Sequence, residues 1–219
     1  MTPPPRLRTA RLILRPIADE DFEAFYRLLV LDPKVIEYYF AYRAPLTDAE
    51  RRARARKDFF DHFDAGAARF GYICWALCAG EVPRAEAGRL IGWCGVVTPA
   101  LEDRRLGPEL AYMIARDWQG RGLVTEAARA VVVDGFARHG LQAMHAVVDP
   151  PNLSSRRVAQ KLGFSYEGTR RVYGTDGMVV YRLDAAGASR LAPPGAVGAT
   201  GSASGASRGG NDMEPRCPD

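Results

Sequence analysis

The feature that most restricts the fold lies between Pro108 and Val148. There "PELAYMIARDWQGRGLVTEAARAVVVDGFARHGLQAMHAVV" reads strand, glycine-bearing turn, helix, strand. Pro108–Ala115 is the first strand, the helix is expected over Leu123–Arg138 with Gly140 as its left-handed stop, and 141–148 is the next strand. The mouth of that helix is Gly120-Arg121-Gly122, with no proline or acid. The first turn of any helix has backbone N–H groups without internal partners, and its dipole places positive potential there. Gly120 and Gly122 leave those groups approachable, Arg121 adds charge and Thr125 adds a hydroxyl, which together suit a pyrophosphate. A tight turn with nothing bound is the alternative, and the glycines alone leave both open. Two familiar phosphate loops do not fit. A P-loop requires a lysine that is missing here. A dinucleotide fingerprint requires a third glycine where Thr125 stands, and a position earlier in the chain.

The flanking segments supply a mixed set of elements. Arg11–Ile17 alternates as a strand, and "DEDFEAFYRLLV" opens on acids and continues with helical apolar spacing. Asp32-Pro33 should open a short second helix. "TDAERRARARKDFFDHFDAG" is an amphipathic helix that Thr47 or Asp48 can cap and Gly66 can end. "FGYICWALCA" and "RLIGWCGVVTP" read as a strand hairpin around a charged turn. After the second central strand, Pro151 or Asn152 opens a helix ending at Gly163, and "SYEGTRRVYG" with "GMVVYRLD" closes the domain as another hairpin. Strand runs with inserted helices point to an α/β or α+β sandwich on a mixed sheet.

Composition sets the remaining bounds. From Ala185 about two-thirds of the residues are Gly, Ala, Ser or Pro, which predicts a disordered tail over 185–219 behind a domain of 1–184. The tail's charges cancel, so the net +4 belongs to the domain. Acidic residues are interspersed among the arginines, which argues against a dedicated nucleic-acid binder. No apolar run suits a membrane helix, and "MTPPPRLRTARLILRP" has no continuous apolar core of a secretory signal, so a cytoplasmic protein is expected. Cys74, Cys78, Cys94 and Cys217 form no C-x-x-C pair and read as reduced thiols, the first three buried. His62, His139 and His145 lack metal-ligand spacing, so no metal is expected.

Two motifs read together carry a family resemblance. "WQGRGLVTEA" resembles the Q/R-x-x-G-x-G/A pattern of the GNAT N-acetyltransferases at Gln119 and Gly122, with Val124 in place of the last small residue. "NLSSRRVAQKLGF" resembles the family's N-x-x-[AS]-x-x-[LV]-x-x-x-x-G-F helix at Asn152, Ser155, Val158, Gly163 and Phe164. "TARLILRPI" and "GPELAYMIARDWQGRGLVTEA" look like the branch that acetylates N-terminal amines of ribosomal proteins, and the resemblance spans about Arg8 to Asp184. It implies a mostly antiparallel sheet splayed between two central strands, with helices on both faces.

It also implies acetyl-CoA as co-substrate. The pantetheine arm would pair with Pro108–Ala115 through Met113, Ile114 and Ala115, with a bulge at Met113 or Ala115 freeing backbone donors. The pyrophosphate would rest on N–H groups of Gly120, Arg121, Gly122, Leu123, Val124 and Thr125, with Gln119 and Arg121 at the rim. Asn152 caps its helix, contacts pantetheine, or both.

Acetyl transfer from a thioester to an amine needs a proton acceptor, an oxyanion donor and help for the leaving thiolate. By the resemblance, Glu109 is the base, or else a hydrogen-bonding residue of the sheet. The Met113 N–H is the oxyanion donor. Ala159 stands where many members carry a tyrosine, so that role does not transfer. Ser155 is the alternative, as a thiolate partner or a first-turn serine. Tyr166, Tyr173 and Tyr181 either line the acceptor pocket or pack in the core, and His145 reads as core. The acceptor is expected to be a protein N-terminal amine. A small amine (amino acid, polyamine or antibiotic) and a non-catalytic acetyl-CoA sensor are the rivals.

Overall fold

The computed structural model describes residues 5–42, 44–60, 74–80, 89–97 and 106–192. Its strands are β1 (Leu7–Arg8), β2 (Leu12–Pro16), β3 (Cys74–Ala79), β4 (Leu90–Val97), β5 (Glu109–Ile114), β6 (Ala143–Val148), β7 (Ser165–Val172) and β8 (Thr175–Asp184). Among the described residues they form one sheet in the order β1-β2-β3-β4-β5-β6-β8-β7. Every neighbouring pair is antiparallel except β5 and β6, which are parallel.

Helices cover both faces. They are α1 (Phe22–Phe25), continued by a π-helical turn over Tyr26–Val30, then α2 (Asp48–Phe60), α3 (Leu123–His139), α4 (Leu153–Lys161) and α5 (Ala185–Ser189). Thr47 caps α2: its hydroxyl accepts the Glu50 N–H at 3.3 Å while the Glu50 carboxylate accepts the Thr47 N–H at 2.8 Å. Gly66, expected to end that helix, lies outside the described residues. Gly140, at φ 57°, stops α3, and its N–H bonds the Phe136 carbonyl.

Two expectations are corrected. Asp32-Pro33 opens turns rather than a helix, followed by a 3-10 turn at Phe40–Tyr42. The Asp32 carboxylate takes the Lys34 N–H at 2.9 Å, a local side-chain bond that competes with helix formation. At the other end, Ala185–Ser189 is helical, although composition had placed it in the tail. The Asp184 carboxylate caps it by accepting the Gly187 N–H at 2.8 Å, and Ala188 and Leu191 are buried in the core. An alanine-rich segment hides such a helix from compositional reading. Residues 193–219 lie outside the described residues.

The sheet separates two cores. On one side α3 sets Leu123, Ala127, Ala128, Val131 and Val132 against Leu12, Leu77, Leu110, Ile114 and Met144. On the other, Phe22, Phe25, Leu29, Ala55 and Phe59 cover Cys74, Ala76, Trp93 and Met113. Side chains alternate along a strand, so Glu109 shares the α1–α2 face with Ala111 and Met113, while Leu110, Tyr112 and Ile114 face α3. Cys74, Cys78 and Cys94 are buried and reduced. Among the described residues no helix is long and apolar enough to cross a membrane, and no group of three potential metal ligands converges.

Candidate active site

β5 and β6 pair at one register position, Glu109 opposite His145, where the His145 N–H bonds the Pro108 carbonyl at 2.7 Å. Beyond it the strands part, and a cleft of about 780 Å³ opens along β5 towards the mouth of α3. Its walls include Glu109, Met113, Ile114, Gln119, Gly120, Gly122, Leu123, Val124 and Thr125. Asn152 and Ser155 from the start of α4 stand opposite. Sequence reading thus brings most of its candidates to one cleft. Ala115 is placed elsewhere, buried in the α1–α2 core, and the Arg121 guanidinium lies 5.2 Å over the ring of Trp118, itself on the cleft wall.

The expected bulge in β5 is absent. β4 and β5 keep one register from Gly92–Ile114 to Val97–Glu109, and the Ala115 N–H continues it to the Ile91 carbonyl at 2.8 Å. The irregularity sits one strand away: Leu77 pairs with Gly92 and Cys78 with Leu90, leaving Ile91 as the extra residue. Antiparallel partners exchange both backbone bonds at alternate positions. Since Ala115 bonds β4, Met113 does too, and its N–H is directed at Trp93 rather than into the cleft. The Met113 carbonyl agrees, lying 2.4 Å from where a Cβ on Gly92 would sit. The groups on the cleft side are those of Tyr112 and Ile114, and there the Ile114 carbonyl accepts from the Gln119 side-chain amide at 3.2 Å. The oxyanion assignment therefore moves off Met113.

Glu109 is 5% exposed, and its carboxylate accepts hydrogen bonds from the Tyr173 hydroxyl and the Val147 backbone. Burial pushes its pKa up to about 7, and those two bonds keep it from rising further. The Tyr173 pKa is driven far above the usual phenol value by burial and by the adjacent carboxylate, so it remains a donor at any working pH. Tyr173 sits at the β7–β8 turn with φ 54° and lines the cleft. The other two tyrosines do not reach it: Tyr166 is 63% exposed, and buried Tyr181 accepts from Arg156 at 3.2 Å. His145 is buried in the sheet, 3.8 Å from Glu167, and burial lowers its pKa.

At the start of α4 the Asn152 side chain accepts the Ser155 N–H at 3.0 Å. The cap is therefore real, and Ser155 lines the cleft. Sequence reading missed Tyr112, whose hydroxyl reaches the Ser155 carbonyl at 3.4 Å across 43 residues. It also missed Tyr38, Tyr39 and Asp58 on the α1–α2 side of the cleft, and Arg11, which grips the mouth of α3. The aromatic–acid pattern of the first three is indistinct from ordinary helix packing, and nothing local links Arg11 to a loop 110 residues away.

The family described as acetyltransferase (GNAT) domain matches residues 11–165. YoaA of Bacillus subtilis, described as an uncharacterized N-acetyltransferase, is 33% identical over 169 residues, which cover 77% of this chain and 88% of that protein. An acetyltransferase from Agrobacterium tumefaciens superposes with a TM-score of 0.63 at 25% identity, over 84% of this chain and 96% of that one. RimJ of Mycobacterium smegmatis, solved with CoA-disulfide, shares the fold with a TM-score of 0.62 at 22% identity, over 85% and 91% of the two chains.

Proposed function

This chain belongs to the acetyltransferase (GNAT) domain family and is an acetyl-CoA-dependent N-acetyltransferase, and on that premise we propose that its acceptor is a protein N-terminal α-amine, acetylated by direct attack within a ternary complex. The donor's diphosphate would lie at Gly120–Thr125 and its pantetheine arm in the gap between β5 and β6. The cleft-side N–H of Tyr112 is then the backbone donor nearest the thioester carbonyl, and it takes the oxyanion role. The acceptor enters from the α1–α2 face, which Glu109 shares. Its amine nitrogen bonds the acetyl carbon and the C–S bond breaks. The amine's proton passes to Glu109, directly or through water, and the thiolate leaves beside the Ser155 hydroxyl.

The observation that carries this reading is Glu109: a buried carboxyl on the cleft wall, held by Tyr173, with a pKa of about 7. A protein α-amine has a pKa of about 8, so proton transfer to such a carboxylate is nearly level. A lysine or polyamine amine, at about 10.4, lies well above it and gives up its proton less readily. The test is free-thiol release from acetyl-CoA with N-terminal peptides, polyamines, amino acids and aminoglycosides, run beside Glu109→Gln. Peptide-dependent release that collapses in the variant supports the proposal. Release with a small amine alone replaces the acceptor assignment, and binding without release on the whole panel favours a sensor.

A further inference from the structure

Arg11 belongs to the turn between β1 and β2, yet most of its polar contacts lie on α3. Its Nη1 donates to the Arg121 carbonyl at 2.9 Å. Its Nε donates to the Glu126 carboxylate at 2.7 Å, its Nη2 lies 2.7 Å from the same oxygen, and its backbone N–H donates to the other oxygen at 2.8 Å. The Thr9 hydroxyl completes the set on Glu126 at 2.5 Å. Burial alone would raise the Glu126 pKa, but these hydrogen bonds and the Arg11 charge hold it below the ordinary carboxylate value, so the pair is ionised. A carboxylate in the first turn of α3 satisfies the helix dipole but would oppose an incoming anion, and Arg11 neutralises it.

We propose that Arg11 is a positioning residue for acetyl-CoA, acting through the Arg121–Gly122 peptide. This rests on the reading that Gly120–Thr125 receive the diphosphate. A trans peptide is planar, and its C=O and N–H point in opposite directions. A fork that holds the Arg121 carbonyl therefore fixes the direction of the Gly122 N–H, and Gly122 lines the cleft. Gly122 has φ 75°, a conformation open to glycine but not enforced by it, so the peptide plane needs an external restraint. A cation on the carbonyl also polarises the peptide and strengthens its N–H as a donor. Glu126 aims the fork by occupying its Nε–Nη2 edge and leaving Nη1 for the carbonyl.

The test compares two donors, acetyl-CoA and S-acetylpantetheine, which lacks the diphosphate and nucleotide. In Arg11→Met, kcat/KM for acetyl-CoA should fall about 10- to 100-fold, the range of one charge-assisted hydrogen bond, with the loss in KM. S-acetylpantetheine should be used as well as by the unsubstituted protein. Arg11→Lys keeps the charge and the stem, and serves if the methionine variant folds poorly. It should show the same donor-selective loss, because an ammonium cannot hold Glu126 and the carbonyl together. Equal losses on both donors, no loss, or full rescue by lysine would each overturn the proposal. If the unsubstituted protein itself uses both donors equally well, the diphosphate assignment fails first, and the role of Arg11 falls with it.

Discussion

At the scale of single residues, Glu109 and Tyr173 form a unit whose pH behaviour is fixed in sign. Burial raises the Glu109 pKa from 4.5 to about 7, so the carboxyl is protonated below that value and able to accept a proton above it. The kcat/KM profile should carry an apparent pKa near 7, and in Glu109→Gln that ionisation should vanish with a loss of about 100- to 1,000-fold, leaving the acceptor amine's own at about 8. Tyr173→Phe removes a donor to the ionised form, so the Glu109 ionisation should move to higher pH and activity at neutral pH should drop. Stability follows the same linkage with the opposite benefit. A raised carboxyl contributes stability that is full below the unfolded value and is lost as pH climbs through the folded one. Glu109→Gln escapes that loss. Its unfolding free energy, relative to the unsubstituted protein, should improve by up to about 3 kcal/mol between pH 5 and pH 8.5. Urea titrations at the two pH values check the sign. Glu109 is legible in the sequence because a motif anchors it. Tyr173 is legible only as one of three tyrosines, since its partner is 64 residues away.

At the scale of elements, periodicity and punctuation are informative. α3 begins and ends within a residue of the expected span, and the central strands fall where apolar runs predicted them. Register is a different matter, because it is a property of two strands and neither sequence contains it alone. The bulge expected in β5 is instead an extra residue, Ile91, on β4 against β3, while the unbroken β4–β5 register decides which N–H groups of β5 look into the cleft. Gly92 is the residue that permits the close β4–β5 contact: a Cβ there would lie 2.4 Å from the Met113 carbonyl and 2.9 Å from the Ile114 Cα. Both obstacles are backbone, so neither yields cheaply. Gly92→Ala should destabilise the protein by about 2–4 kcal/mol, read as a lowered denaturation midpoint, through strain of the overpacking kind. Any folded fraction should show a raised KM for acetyl-CoA, because β5 carries the cleft-side amides.

At the scale of the whole molecule, the same sheet must hold two cores together while parting between β5 and β6. Among the described residues the antiparallel arm of β6, β8 and β7 pairs with the remaining strands at one short parallel register position, supplemented by the Glu109 side chain, so helices crossing the break carry much of the connection. α3 is the principal tie, packing on β4 and β5 while its core continues into Met144, Val179 and Leu183. α5 reinforces it: Ala188 and Leu191 join that core, and Arg129 of α3 reaches the Leu191 carbonyl at 3.4 Å. The folded domain therefore includes α5. Residues 193–219 are rich in Gly, Ala and Ser, a composition that does not suit a packed core. A chain ending at Ala192 should keep both its melting temperature and its kcat/KM. A chain ending at Asp184 loses the buried Leu191 and Ala188 side chains and should be weaker by about 2–4 kcal/mol. Because α5 braces the helix whose first turn is the proposed diphosphate site, the shorter chain should also bind acetyl-CoA less well at temperatures where it remains folded. Equal behaviour of the two truncations would show that α3 alone spans the break.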